Sequence, residues 1–271
     1  MGIEASSTGD HAQLDSVQET VARLIDDYCG FQFFPSSDTR YFTARNSQCL
    51  ALDTPLLAVD SVRLDLHGDG TSYDTTMTSA CYYLEPYNAT NQSPPKPYWN
   101  LELRQSATMA FPSGDKRAVQ IIGTFGYYNK TTSIATIATA NTSNTTRMEF
   151  NNSSLLHPGM TLLAGSERIY VKNNGKSGSD TATSSGSVFV ERAVNGTTAA
   201  THASGETVYA YEYPVIDQAA LTQAEQAYLV RHSPQGYAGG DPYGQQRPQI
   251  SAGLHPFVRS LLEPFRKPVA L

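Results

Sequence analysis

The chain has 271 residues, of which 39% are apolar and only 16% charged, with a formal charge of −6. That length supports a sizeable core in one or two domains. The low charge, with Ser, Thr, Asn, Gly and Tyr filling the difference, speaks against a helical enzyme rich in Glu and Lys. The acidic balance without a polybasic run speaks against binding nucleic acid by phosphate neutralisation.

Residues 1–10 are small and polar and read as a loose arm. From Gln13 to Tyr28 the apolar residues Leu14, Val17, Val21, Leu24, Ile25 and Tyr28 recur at steps of three or four, which predicts a helix with one apolar stripe. Asp10 is placed to cap its start. Gly30 is placed to end it in the left-handed conformation.

Residues 31–128 read as β structure. The strand candidates are Arg40–Thr43, Gln48–Leu52, Val59–Leu66, Tyr82–Pro86, Trp99–Leu103 and Val119–Gly126. His67-Gly68-Asp69-Gly70 and Phe111-Pro112-Ser113-Gly114 are turns, and Asn88–Pro97 is a Pro-rich loop.

Residues 129–212 read as an insertion. Thr131–Ser154 gives a weak strand signal, and Gly165–Lys172 a stronger one. Asn173–Ser187 is a Gly/Ser/Asn loop. Val188–Val194 alternates as a strand, Asn195-Gly196 tolerates positive φ at both positions, and Glu206–Tyr211 is another short strand. This last stretch predicts a β-meander.

Helical periodicity resumes at Pro214, which suits a first helical position. Val215, Ile216, Ala219, Ala220, Gln223, Ala224, Ala227, Tyr228 and Arg231 trace an Ala-rich face that lets a neighbouring helix approach closely, and the Leu14–Tyr28 helix is the available partner. Ser233–Gln249 reads as a strap rich in Gly, Pro, Gln and Tyr. A short helix, Pro256–Pro264, and a basic end, Arg266-Lys267-Pro268, finish the chain. The expected fold class is α+β: a small helical bundle from both termini (1–30 and 213–271), a central β unit (31–128) and an inserted β-meander domain (129–212).

No residue cluster points to chemistry. The six His have no HxxxH or HExxH spacing. Asp65, Asp69 and Asp74 lack the ligand spacing of a calcium loop, and turn chemistry explains them. Gly165-Ser166-Glu167 lacks the flanking Gly of a nucleophile elbow. Cofactor, metal and catalytic residues are therefore expected to be none. Cys29, Cys49 and Cys81 show no CxxC spacing and fit a reducing compartment. No early segment reads as a signal peptide, and no apolar run approaches the ~20 residues that span a bilayer.

The run Val188–Val208, VFVERAVNGTTAATHASGETV, resembles a β-module that recurs in structural proteins of tailed double-stranded DNA bacteriophages. Four further elements occur in order: YYLEPYNA (Tyr82–Ala89), YWNLEL (Tyr98–Leu103), the Phe111–Gly114 turn and VQIIGTFGY (Val119–Tyr127). An Ala-rich helix and LHPFVRSLLEPFRKP (Leu254–Pro268) follow. Together with the opening helix, this order resembles the head–tail connector (adaptor, or head-completion) proteins of long-tailed phages, over roughly residues 12–128 and 213–268. The insertion at 129–212 departs from a minimal connector, and the strap is unusual.

The resemblance implies a structural role without catalysis. Such proteins form rings, commonly of twelve copies, beneath the portal protein. They extend the channel for packaged double-stranded DNA and receive a stopper, tail-terminator or other tail component, in the virion neck after assembly in the host cytoplasm. Leu254, Phe257, Arg259, Leu261, Leu262, Phe265, Arg266 and Lys267 are then the expected portal-docking residues, as hydrophobic anchors flanked by basic groups. Leu14, Val17, Val21, Ala220, Ala224 and Tyr228 are the expected subunit interface. Asp15, Glu19, Asp26 and Asp27 are candidates to face the lumen, against the plainer reading of a solvated helix face. The rival reading is a carbohydrate-binding module of a tail or baseplate protein, with Tyr82, Tyr83, Tyr87, Tyr98, Trp99, Tyr127 and Tyr128 as its platform.

Overall fold

The computed structural model describes residues 8–92, 95–127, 130–173, 186–232 and 253–267. The expected arm (apart from residues 8–10), the interior of the 173–187 loop, the 233–249 strap and Pro268 lie outside them. The chain forms two compact units. One joins residues 1–32 to 213–271, and the other holds 33–212. The fold is mixed and mostly β: three α-helices among the described residues, a six-stranded antiparallel sheet and a closed six-stranded barrel.

In the first unit, α1 (Thr8–Cys29) buries Val21, Ile25 and Cys29, the inner line of its stripe. Asp10, expected at the cap position, lies inside this helix, which runs from Thr8. Gly30, at φ +82°, ends it and donates its amide to Asp26 O at 2.8 Å. Helix α2 (Pro214–His232) starts at Pro214 as expected, and α3 (Pro256–Leu262) continues into a single 3-10 turn, Glu263–Phe265. Helix α2 packs against both α1 and α3.

The sheet comprises β1 (Ser36–Phe42), β2 (Cys49–Leu64), β3 (Thr75–Met77), β4 (Tyr82–Glu85), β5 (Tyr98–Leu103) and β6 (Val119–Phe125), in the order β1-β6-β2-β5-β4, with β3 beside β2. Strand β6 alternates strictly, burying Val119, Ile121, Gly123 and Phe125. The two strands expected at 48–52 and 59–66 are one continuous strand, β2. It bends through register shifts, pairing first with β5 and then with β6 and β3. Pro55 lies in the register shift between Ala51 and Leu56, where a missing amide donor is tolerated, and its carbonyl accepts Gly126 N at 3.0 Å. Gly123 answers the bend: a Cβ there would stand 2.3 Å from Ala58 O. The core gathers Phe42, Leu50, Leu56, Leu101, Phe111, Ile121 and Phe125.

The expected meander is instead a barrel. Its strands are β7 (Thr131–Ile137), β8 (Arg147–Asn151), β9 (Thr161–Ala164), β10 (Glu167–Asn173), β11 (Gly186–Glu191) and β12 (Thr207–Tyr211). They close in the order β10-β11-β8-β7-β12-β9. Strands β11 and β12 follow one another in sequence but do not pair. Strand β11 sits between β10 and β8, and β12 between β7 and β9. Each barrel strand puts alternate residues inward, and Ile137, Met148, Phe150, Leu162, Ile169, Val188 and Val208 fill the interior. Closure removes exposed strand edges.

Asn195 and Gly196 do take positive φ, at +54° and +76°. The turn does not join paired strands, however. It is pressed on β1, where Asn195 O accepts Ser37 N at 2.9 Å. Arg168 reinforces the junction by donating from Nη1 to Asn195 O (3.0 Å) and Ser37 Oγ (3.2 Å). A Cβ on Gly196 would stand 1.8 Å from Ser37 O. Gly196→Ala is therefore expected to cost roughly 2–3 kcal/mol, and hydrogen exchange at the Ser37 amide should lose its protection.

Burial in the first unit pushes the Asp26 carboxyl up from 3.8 to about 6, against a lowering by Arg23. The unfolded chain ionises Asp26 first, so stability falls as pH rises from about 4 to 6. Asp26→Asn should stabilise the unit above pH 6 by on the order of 1 kcal/mol, and leave it nearly unchanged at pH 4, as read from thermal unfolding.

Candidate functional site

The expected docking segment folds onto its own unit. Leu254, Val258 and Leu262, spaced four apart, are buried. Leu254 and Leu262 are thus spent on the α1–α2 surface and present nothing outward from it. Leu261 and Phe265 are half-buried, while Arg259, Arg266 and Lys267 are exposed and Phe257 is 50% exposed.

A buried polar side chain fixes the segment. Gln223 of α2, 4% exposed, donates Nε2 to Gly253 O at 3.2 Å and accepts His255 N on Oε1 at 2.9 Å. His255 Nδ1 then accepts Phe257 N at 3.2 Å and caps α3, with Pro256 in the first turn. Farther along, Tyr28 donates to Glu263 at 2.6 Å, and the Arg266 guanidinium lies 5.3 Å from the Tyr28 ring centre. Lys267 N donates to Cys29 O at 3.0 Å.

The expected subunit interface divides. Val21 is buried inside the unit and Val17 is half-buried; the Leu14 side chain lies outside the described set. On α2 the inward residues are Ala219 and Gln223. Ala220 and Ala224 flank them, and Tyr228 lies outside at 36% exposure. Leu221, 69% exposed, stands seven residues before Tyr228, so both lie on one outer line with Ala224 between. Of the lumen candidates, Asp26 is a poor choice, since its side chain is only 22% exposed and burial pushes its carboxyl up to about 6.

The sugar platform does not form as expected. Tyr82 and Tyr127 are buried, Tyr98 and Trp99 half-buried, and Tyr128 is outside the described residues. Tyr83 and Tyr87 remain, exposed edge to face at 5.9 Å, with Arg104 stacked 4.2 Å over Tyr83.

Turn chemistry accounts for the acidic stretch after β2. Asp65, fully buried, accepts the amides of His67, Gly68 and Gly70 at 2.7–2.9 Å, and Asp69 accepts those of Thr71 and Ser72 at 2.8 Å. Burial raises the Asp65 carboxyl, but the three amides outweigh it and hold it below the usual range. Among the described residues no group of His, Cys, Asp or Glu could hold a metal ion, and no helix is long and apolar enough to cross a membrane.

The sequence gives no hint of a buried polar cluster in the barrel unit. Glu167 of β10 is fully buried and takes a two-pronged contact from Arg192, Nε to Oε1 and Nη2 to Oε2, both 2.7 Å. It also accepts Ala193 N at 3.0 Å and Ala200 N at 2.8 Å. His202, 2% exposed in its side chain, lies between two carboxylates: Nε2 is 3.0 Å from Glu167 and Nδ1 is 3.1 Å from Glu206. Arg192 further donates to Thr142 O, Thr145 O and Ala200 O. These bonds fasten the β11–β12 connection and the β7–β8 loop to one end of the barrel.

Burial raises the Glu167 carboxyl, but Arg192, the Ala200 and Ala193 amides and His202 outweigh it and hold it at about 2 instead of 4.5. Its contribution is therefore complete above about pH 4.5 and is lost as pH falls towards 2. Arg192→Met leaves the carboxylate buried without its main partner and should cost about 3–5 kcal/mol, read as lost hydrogen-exchange protection in β7 to β12. In known proteins no family model, no curated protein and no solved structure matches this chain.

Proposed function

We propose that this chain is a structural subunit of the neck of a tailed double-stranded DNA phage, a head–tail connector that assembles as a ring below the portal protein. The carrying observation is the exposed apolar surface of the helical unit, where Leu221 (69%) and Tyr228 (36%) stand on α2 and Phe257 (50%) on α3. Large apolar side chains grouped on one small unit suit contact between subunits. A ring needs two different patches on each copy, one for each neighbour. Helix α2 provides one, with Leu221, Ala224 and Tyr228.

The elements that carry the resemblance support this reading by their positions. LEL lies on β5, the Phe-Pro-x-Gly turn buries Phe111 in the sheet core, and TFGY ends β6. The barrel coincides with the departure from a minimal connector and serves as an outer module for another neck or tail component. The portal contact falls to the exposed side of α3, Phe257 and Arg259 with Arg266, and not to the buried Leu254 and Leu262. The net charge of −6 suits a channel that DNA passes without being held.

Sedimentation of the purified chain, alone and with isolated portal rings, tests the proposal. Ring-sized assemblies or portal-bound complexes are expected. A chain that stays monomeric at high concentration and ignores portal rings would overturn it. Leu221→Glu should weaken self-association by roughly tenfold or more while changing thermal stability by less than about 0.5 kcal/mol. Phe257→Asp with Arg259→Glu should abolish portal binding and spare self-association.

A further inference from the structure

The seat of residues 253–267 on α1 and α2 has the chemistry of a peptide receptor. Gln223 reads two backbone groups of the segment, Gly253 O and His255 N. Leu254, Val258 and Leu262 supply three apolar anchors, and Tyr28 and Cys29 O hold the far end through Glu263 and the Lys267 amide. Every one of these contacts lies within fifteen consecutive residues. An identical segment from another copy would satisfy all of them equally.

The connecting chain is far longer than this seat requires. Gln223 is nine residues before His232, the last residue of α2, a rise of about 14 Å along a helix. Four or five extended residues would cover that return. Twenty residues, 233–252, are available, and at about 3.3 Å each they reach roughly 66 Å. They include four Gly and three Pro. A longer closed loop raises the entropic cost of docking on the same copy, while the surplus reach brings a neighbour's seat within range.

We infer that the segment 253–267 exchanges between copies, so that in the assembled form each copy seats its segment on the α1–α2 surface of the next. This rests on the reading that the chain assembles with itself. Exchange adds a subunit contact without any new contact chemistry, and in a ring it passes head to tail from copy to copy. A contact that is intramolecular in the dilute chain becomes the tie between subunits.

A full-length chain carrying Gly30→Cys and Lys267→Cys, with Cys29, Cys49 and Cys81 replaced by Ser, reads the exchange directly. A Cβ on residue 30 would lie 3.5 Å from the Lys267 Cβ, within the roughly 3.5–4.5 Å of a disulfide. Oxidation at high dilution should give linked monomers, and oxidation of the assembled fraction a ladder of covalent multimers on a non-reducing gel. Since residue 30 has positive φ, the unsubstituted chain provides a second measurement. Copies carrying light and heavy nitrogen are assembled together with a photo-activated cross-linker on Lys267. About half of the peptide pairs joining the segment to α1 should then mix isotopes. An assembled fraction with only intrachain links, or only same-isotope pairs, would overturn the exchange and leave assembly standing. If sedimentation finds no assembled fraction, with or without portal rings, the reading beneath it fails instead.

Discussion

The barrel depends on one buried carboxylate. Residues 192–206 must cross from β11, between β10 and β8, to β12, between β7 and β9. Such a connection carries many backbone polar groups and little apolar surface, so hydrophobic burial alone does not fix its path. Glu167 fixes it by accepting Arg192, Ala193 N and Ala200 N together. Arg192 extends the same hold to the β7–β8 loop through Thr142 O and Thr145 O. A lone charge at that depth would be costly, and the two-pronged pairing with its added amide donors makes it tolerable.

Periodicity made part of this fold legible. The stripe of α1, the alternation of β6, the start of α2 at Pro214 and the positive φ of Gly30, Asn195 and Gly196 are all local signals, and local sterics decide them. Strand neighbours are not local. Nothing in VFVERAV says that β11 pairs with β8, and Asp53-Thr54-Pro55 reads as a break although β2 runs through it on a bulge. The Glu167 cluster bonds residues as far apart as Thr142 and Arg192, 50 positions, with no spacing that a motif could capture. On α3 the step of four from Leu254 through Val258 to Leu262 marks the buried face. Phe257, Leu261 and Phe265 are as hydrophobic and obscure it.

The helical unit shows why an anchor cannot be assigned from composition alone. A C-terminal helix with apolar and basic residues has two outlets for its hydrophobic surface, its own chain or a partner. Gln223 decides for the α1–α2 surface, because its buried side-chain amide pairs with the backbone of Gly253 and His255. What remains outward, Phe257 with Arg259 and Arg266, is a smaller and more polar surface than the sequence suggests.

The barrel begins and ends at one place. Thr131 and Tyr211, near its first and last residues, are register partners on adjacent strands, and Lys130 and Glu212 beside them form an ion pair at 2.7 Å. A module whose entry and exit are tied this way imposes almost no spacing on the chain that carries it. It can be gained, lost or traded as a cassette over evolutionary time while the sheet keeps its register, so such a module is free to diversify faster than the framework that carries it.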